Sequence, residues 1–194
     1  MYGYTPLASP DDFRLVRLHQ SSSSPSNDDA LIIEFLPARF DERCSYIALS
    51  YAWGTDSGRE DIQLKGTGGQ ILHVTRNLAS ALRSMQRSDH LILWIDALCI
   101  DQNNVQEKNH QVGRMAEIYR RASCVVIWLG EASNNSEVAM DFITNISTKD
   151  IDSFCSDPKN FKIWEALDAL LKRSWFTRRW VVQEVSFARH AILR

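Results

Sequence analysis

The sequence lacks a strong excess of charge of either sign. Its 194 residues include 22 lysines and arginines against 24 aspartates and glutamates, a formal net charge of -2 at pH 7. Proteins that bind nucleic acid electrostatically carry a marked basic excess, so the composition gives no indication of a nucleic-acid partner. What remains is an ordinary globular composition, 44% hydrophobic and 24% charged, of a length that suits one domain.

Cysteine and histidine are sparse, and neither shows the spacing of a metal or redox site. The 4 cysteines are widely separated and form no CxxC pair, which predicts free thiols in a reducing compartment. The 5 histidines show no ligand spacing either, so we predict no metal. Cys99 could be a nucleophile with His110 as the base nearest in sequence, but its apolar surroundings favour the role of a small buried hydrophobic residue.

Long hydrophobic runs are absent as well. The longest ones, CVVIWLG and HLILWIDALCI, are too short or too interrupted for a membrane span, which needs about 20 apolar residues. The N-terminus, MYGYTPLASPDDF, has no basic segment followed by an apolar one, so we predict no signal peptide. These features predict a cytoplasmic protein with no membrane partner.

Hydrophobic periodicity predicts an α/β fold. Residues 13–19 and 30–38 form an N-terminal β-hairpin around the polar loop QSSSSPSNDD, and DIQLKGTGGQILHVT forms a second, smaller hairpin. From residue 46 onward strands and helices alternate, which is typical of a parallel, doubly wound sheet. We therefore predict a flavodoxin-like parallel sheet flanked by helices, with the N-terminal hairpin added to it.

The predicted domain is single and covers residues 1–194. Residues 1–45 form the hairpin extension, and residues 46–194 form the α/β core. The final segment, HAILR, begins a strand, so we expect this core to be truncated at its C-terminal end.

Two helical segments carry specific predictions. NVQEKNHQVGRMAEIYRRA is expected to form one helix, opened by a capping box in which Glu107 bonds back to the cap residue Asn104. SEVAMDFITNI is expected to place Val138, Phe142 and Ile146 on its buried face.

Polar and aromatic residues follow two of the predicted parallel strands. Ligands bind beyond the carboxyl ends of such strands, where the winding direction reverses. Ser50, Tyr51 and Trp53 follow the first strand, and Asp96 and Asp101 follow the second. The two aromatic side chains could stack on a planar ring such as a nucleotide base, or could simply cover the sheet edge. The two acids could receive ribose hydroxyls, or could cap turns and the next helix.

The segment RRWVVQEVSFAR places a carboxylate among apolar residues near the C-terminus. Trp180 and Glu184 share one face of a short helix, and Arg178 and Arg179 precede them. An arginine could pair with Glu184 or with a ligand phosphate. Spacing alone favours a structural ion pair, because such pairs outnumber catalytic acids.

Three segments resemble the signature blocks of the fungal HET (heterokaryon incompatibility) domain. They are YIALSYAWG, LWIDALCIDQNNVQEKNHQVGRMAEIYRRA and RRWVVQEV, and they occur in order across about residues 46–188. HET domains trigger programmed cell death when genetically unlike fungal cells fuse, and many are fused to nucleotide-binding sensor modules. The resemblance implies a cell-death effector of fungal innate immunity that works with an upstream nucleotide-binding sensor protein or module.

A more distant resemblance is to Toll/interleukin-1 receptor (TIR) domains, which have a flavodoxin-like sheet. WVVQE is similar to their Trp-x-x-x-Glu pattern, whose glutamate is essential for cleaving NAD. This resemblance implies a self-associating NAD glycohydrolase, a hydrolase with NAD as substrate and no cofactor, in which Glu184 is catalytic. The implied substrate-binding residues are Ser50, Tyr51, Trp53, Asp96, Arg178 and Trp180. The match departs from the TIR pattern in the N-terminal hairpin, in two extra helices before WVVQE and in the missing last strands, so residues 50–53 correspond by position only.

A non-enzymatic function fits the same resemblance. In this alternative the domain signals cell death by homotypic assembly, and Glu184 and Arg178 form a structural pair. The two hypotheses differ in whether the pocket at the strand ends is open and lined by Glu184 or is filled by side chains.

Overall fold

The computed structural model describes residues 3–19, 30–54, 58–86, 91–146, 154–155 and 157–194. These ranges contain eight strands and seven α-helices. The strands are β1 (Asp12–Leu18), β2 (Leu31–Arg39), β3 (Ile47–Tyr51), β4 (Arg59–Leu64), β5 (Ile71–Thr75), β6 (Leu91–Trp94), β7 (Cys124–Trp128) and β8 (Ala191–Leu193). The helices are α1 (Arg76–Met85), α2 (Asp96–Cys99), α3 (Val105–Gly113), α4 (Met115–Arg121), α5 (Ser136–Asn145), α6 (Phe161–Leu171) and α7 (Val181–Ser186).

All eight strands belong to one sheet, in the order β5-β4-β2-β1-β6-β3-β7-β8. At one end of it, β6, β3, β7 and β8 are parallel neighbours. Numbered along the chain, these four strands lie in the order 2-1-3-4, which is how a flavodoxin-like sheet begins. The predicted α/β architecture is confirmed, and β3 lies between β6 and β7.

The N-terminal hairpin continues the same sheet, because its first strand pairs with β6. β1 pairs antiparallel with β2 on one side and with β6 on the other, where Val16 lies opposite Leu93. The predicted small hairpin is present as the antiparallel pair β4 and β5. A parallel pairing between β2 and β4, not predicted from the sequence, joins the two hairpins. Most of the loop QSSSSPSNDD lies outside the described residues.

The segment predicted as one helix forms two. α3 ends and α4 begins around Arg114, whose backbone has φ -101° and ψ 1°. The Arg114 guanidinium lies 3.9 Å from the centroid of the Phe40 ring and 2.8 Å from the Asp11 carboxylate. These contacts with the N-terminal extension accompany the break, and the local sequence does not reveal them.

The prediction for α5 was partly wrong. Phe142 is buried as expected, but Val138 is 42% exposed and Ile146 43% exposed. The buried face passes through Ala139 instead, and it packs against α6.

Within the ranges that the structure describes, no helix is both long and apolar enough to cross a membrane.

Candidate functional site

Glu184 lies on the inner face of α7, and none of its surface is exposed. Arg178 donates to both carboxylate oxygens, with Nη2 3.0 Å from Oε1 and Nη1 3.2 Å from Oε2. The Ser50 hydroxyl also donates to Oε2. The helix is amphipathic at this point, because Val182 and Val185 face outward and are 69% and 38% exposed. The buried carboxylate is therefore held by a two-point ion pair and a hydroxyl.

Ser50 connects this ion pair to the centre of the sheet. It is the fourth residue of β3, the strand between β6 and β7, and is 1% exposed. Its Oγ accepts a hydrogen bond of 2.7 Å from the indole Nε1 of Trp175, which lies in the short 3-10 helix Ser174–Thr177. The sequence did not single out Trp175, because its partner lies 125 residues away.

A cavity of about 420 Å³ opens beside this group, beyond the carboxyl ends of β3 and β6. That volume falls within the range of small-molecule sites, about 300–1,000 Å³. Four predicted substrate-binding residues line it: Trp53, Asp96, Arg178 and Trp180. The remaining lining residues are Ile100, Gln102, Lys108, Asn109, Val112 and Met115, of which the last four come from α3 and α4. The helices that form this wall were not predicted to contribute to the site.

Asp96 is held at the edge of the cavity by an indole. Trp53 Nε1 lies 3.1 Å from Oδ1 and 3.0 Å from Oδ2, and the backbone N–H of Ala97 donates to Oδ1 at 2.7 Å. Burial raises the pKa of the Asp96 carboxyl to about 6, although the two donors oppose that shift by stabilising the anion. Asp96 therefore changes charge near pH 6.

Three of the predicted site residues lie beneath the cavity instead of lining it. Ser50, Tyr51 and Glu184 are 1%, 2% and 0% exposed. Burial raises the pKa of the Tyr51 phenol well above its ordinary value, so this residue stays neutral. Arg178 separates Glu184 from the cavity, and its side chain is 21% exposed. The catalytic and binding roles of these residues stay predictions.

The local acids near Asp96 have structural partners. Asp101 accepts a hydrogen bond from the backbone N–H of Asn103, which agrees with a turn-capping role. The capping box at α3 is only half formed, since Asn104 accepts from the Glu107 N–H. The Glu107 carboxylate does not bond back to it, because it pairs with Arg14 at 2.5 and 3.0 Å and accepts from the Asp101 N–H.

Two further predictions concern thiols and metals. Cys99 is 2% exposed, and burial raises the pKa of its thiol to about 12, so the thiolate is disfavoured at neutral pH. No group of three or more potential metal ligands occurs in the part of the chain that the structure describes.

Comparison with known proteins identifies the family. The model of the heterokaryon incompatibility protein (HET) family matches residues 46–184. The chain belongs to the HET family. The matched region begins at the strand that carries Ser50 and ends at Glu184, so both members of the buried contact lie within it.

Two curated relatives contain similar HET sequences. Heterokaryon incompatibility protein 6, OR allele, of Neurospora crassa is 27% identical over 228 aligned residues, which cover 95% of this chain and 33% of the relative. Vegetative incompatibility protein HET-E-1 of Podospora anserina is 26% identical over 141 residues, 72% of this chain and 9% of the relative. The chain thus spans a third or less of the curated relatives it matches. No solved structure matches.

Proposed function

We propose that this HET domain is a cell-death effector that cleaves NAD at the nicotinamide–ribose bond when it self-associates. Its homologues indicate a role in heterokaryon incompatibility. One observation carries the enzymatic part of the proposal: the buried Glu184 is the ion-pair partner of Arg178, which lines a cavity of small-molecule size.

The cavity offers a group for each part of a dinucleotide. Trp53 and Trp180 are 40% and 46% exposed, and their indoles suit stacking on a planar ring. Arg178 and Lys108 supply positive charge for a pyrophosphate. Asp96 supplies a carboxylate that accepts hydrogen bonds from ribose hydroxyls when it is ionised.

The proposed reaction needs one well-placed negative charge. The bond between ribose C1′ and the nicotinamide nitrogen breaks with its electron pair moving to that nitrogen, which becomes neutral. The ribose passes through an oxocarbenium-like state, as in glycoside hydrolysis. Glu184 stabilises this positive charge, and a water molecule then adds to C1′ and releases its proton to solvent. Glu184 can act in this way when Arg178 turns from it towards the phosphates of the substrate.

Self-association has a candidate surface on the outer side of α7. Val182 and Val185 are both exposed there. Exposed apolar groups on a surface otherwise rich in charge often mark protein–protein contacts. Assembly through this face would act directly on the helix that carries Glu184.

The non-enzymatic alternative has an observation of its own. Glu184 has no exposed surface, and its carboxylate is engaged by an ion pair with Arg178 and a hydrogen bond from Ser50. In that case the domain signals by assembly alone, and Glu184 serves only to fasten α7 to β3.

The test is NAD consumption by the purified domain over a wide range of protein concentrations. We expect the rate to rise more steeply than linearly, because assembly completes the site. Glu184→Gln should lower the rate per folded molecule about a hundredfold or more. Glu165→Gln makes the same chemical change at an exposed position of α6 and should have no effect.

A different experimental result would refute each part of the proposal. Absence of NAD consumption at all concentrations, with cell killing retained by Glu184→Gln, would refute the enzymatic proposal and support assembly. A rate strictly proportional to protein concentration would refute the dependence on self-association alone.

A further inference from the structure

A second cavity, of about 710 Å³, lies at the end of the parallel strands opposite to the first cavity. It is found at the amino ends of the parallel strands, since Arg43 precedes β3, Arg120 precedes β7 and Arg189 precedes β8. The candidate NAD site lies at the carboxyl ends, so the two cavities share no lining residue.

The cavity is strongly basic in a chain that is weakly acidic as a whole. Five guanidinium groups line it against two carboxylates, Glu42 and Glu117, a formal excess of three positive charges. The formal net charge of the full chain is -2. A concave surface that concentrates one sign of charge attracts ligands of the opposite sign.

Two of the five arginines already have partners and fix the walls. Arg39 donates to both carboxylate oxygens of Asp41, at 2.9 and 3.0 Å. Arg121 pairs with Glu117 at 2.9 Å and also donates to the backbone carbonyl of Phe40. Glu117 is shared with Arg114 as well, so its charge is fully neutralised within the wall.

The other three arginines have no carboxylate partner among the residues that the structure describes. Arg43 and Arg189 are exposed and make no ion pair there. Arg120 lies with its guanidinium carbon 4.7 Å from the centroid of the Phe187 ring, a contact that orients it without neutralising it. Three separate segments therefore deliver unneutralised guanidinium groups to one cavity.

We propose that this cavity binds an anion with clustered phosphate groups. A guanidinium matches two phosphate oxygens at once, which makes arginine the preferred residue for such groups. Three converging arginines can engage more than one phosphate, and a cavity of about 710 Å³ has room for a ligand of small-molecule size. A soluble polyphosphate and a phosphorylated lipid headgroup share this chemistry.

The experiment is titration calorimetry of the domain with tripolyphosphate and, separately, with inorganic phosphate. We expect tripolyphosphate to bind at least tenfold more tightly than inorganic phosphate, with an affinity that falls as salt is added. Arg43→Gln and Arg189→Gln should each weaken binding about tenfold, the effect of losing one charged hydrogen-bonding group. Arg59→Gln, at an exposed position on β4, serves as the matched control and should leave binding unchanged.

Vesicles of phosphatidylcholine with and without phosphatidylinositol bisphosphate identify the source of the phosphates. Binding to the phosphoinositide vesicles that is lost in Arg43→Gln supports a lipid headgroup, whereas binding of tripolyphosphate alone supports a soluble ligand. The proposal is overturned if tripolyphosphate does not bind at millimolar concentration, or if its binding depends on Arg178 and not on Arg43 and Arg189. Absence of tripolyphosphate binding would leave the proposal for NAD cleavage untouched, because that reaction is assigned to the other cavity, whereas binding that depends on Arg178 would place the anion in that cavity.

Discussion

The buried pair of Glu184 and Arg178 allows a double-mutant cycle whose outcome follows from unequal burial. Glu184→Gln removes the carboxylate and leaves the guanidinium without its partner. Removing one member of a buried ion pair typically costs about 3–5 kcal/mol of unfolding free energy. The Arg178 side chain is 21% exposed and can turn to water in the cavity, so we expect the lower end of that range, about 3 kcal/mol.

The reciprocal change, Arg178→Met, should cost more. It leaves a carboxylate that has no exposed surface and keeps only the Ser50 hydroxyl as a side-chain donor, so we expect about 5 kcal/mol. The double variant removes both charges, and its loss should be smaller than the sum of the single losses by about 2–3 kcal/mol.

The cycle is measured by urea unfolding of the wild type, the two single variants and the double variant, monitored by fluorescence. Thermal melts of the same four proteins give their melting temperatures. A loss of about 3 kcal/mol corresponds to a drop of roughly 6–12 °C in melting temperature for a chain of this size. Asp168→Asn is the control, because it removes one partner of an exposed ion pair with Lys172 and should change the stability little. Equal losses for both single variants would refute the argument from unequal burial, and additive losses would show that the two charges do not interact.

Three further changes test other contacts. Ser50→Ala leaves the buried Trp175 N–H without an acceptor and should lower the unfolding free energy by about 1–3 kcal/mol, and an unchanged urea midpoint would contradict the contact. Because the folded-state pKa of Asp96 is raised from 3.8 to about 6, its stabilising contribution is complete below about pH 4 and is lost as the pH rises to about 6. Asp96→Asn should remove that slope from melting temperatures recorded between about pH 4 and 7, and a persisting slope would assign it to another group. Arg14→Met breaks the buried pair with Glu107, whose side chains are 7% and 6% exposed, and should cost about 3–5 kcal/mol, so a loss in urea unfolding below about 1 kcal/mol would contradict the pairing.

Local sequence patterns predicted the positions of the strands better than they predicted which strands pair with each other in the sheet. Alternating and continuous apolar runs located β1 to β8, and the strand–helix alternation indicated the parallel order of β3, β6, β7 and β8. Pairing partners depend on tertiary contacts that carry no local signal. The antiparallel contact of β1 with β6 and the parallel contact of β2 with β4 both join segments that are distant in sequence, and neither was predicted.

The candidate site shows the same difference between what local sequence patterns predict and what tertiary contacts decide. Ser50 and Glu184 were selected separately, 134 residues apart, and the fold brings them into hydrogen-bonding contact. Trp175 was not selected, because an indole near the C-terminus gives no sign that its N–H will donate to β3. Glu107 had the spacing of a capping box, but Arg14, 93 residues earlier, is the stronger partner for its carboxylate. Spacing identifies which residues carry reactive groups, whereas long-range contacts decide which of those groups are engaged.

The enzymatic and structural hypotheses assign different roles to Arg178. While its guanidinium holds Glu184, the carboxylate is neutralised and cannot stabilise an oxocarbenium ion. A ligand pyrophosphate in the cavity offers Arg178 a two-point contact of the same geometry, and that contact offsets part of the cost of leaving Glu184 unpaired. Glu184 would then keep the Ser50 hydroxyl and regain an unbalanced charge beside the ribose, in surroundings that strengthen electrostatic effects because they exclude water. In the proposed reaction the phosphates of the substrate therefore release the catalytic charge, and a ligand without phosphates should leave the site inactive.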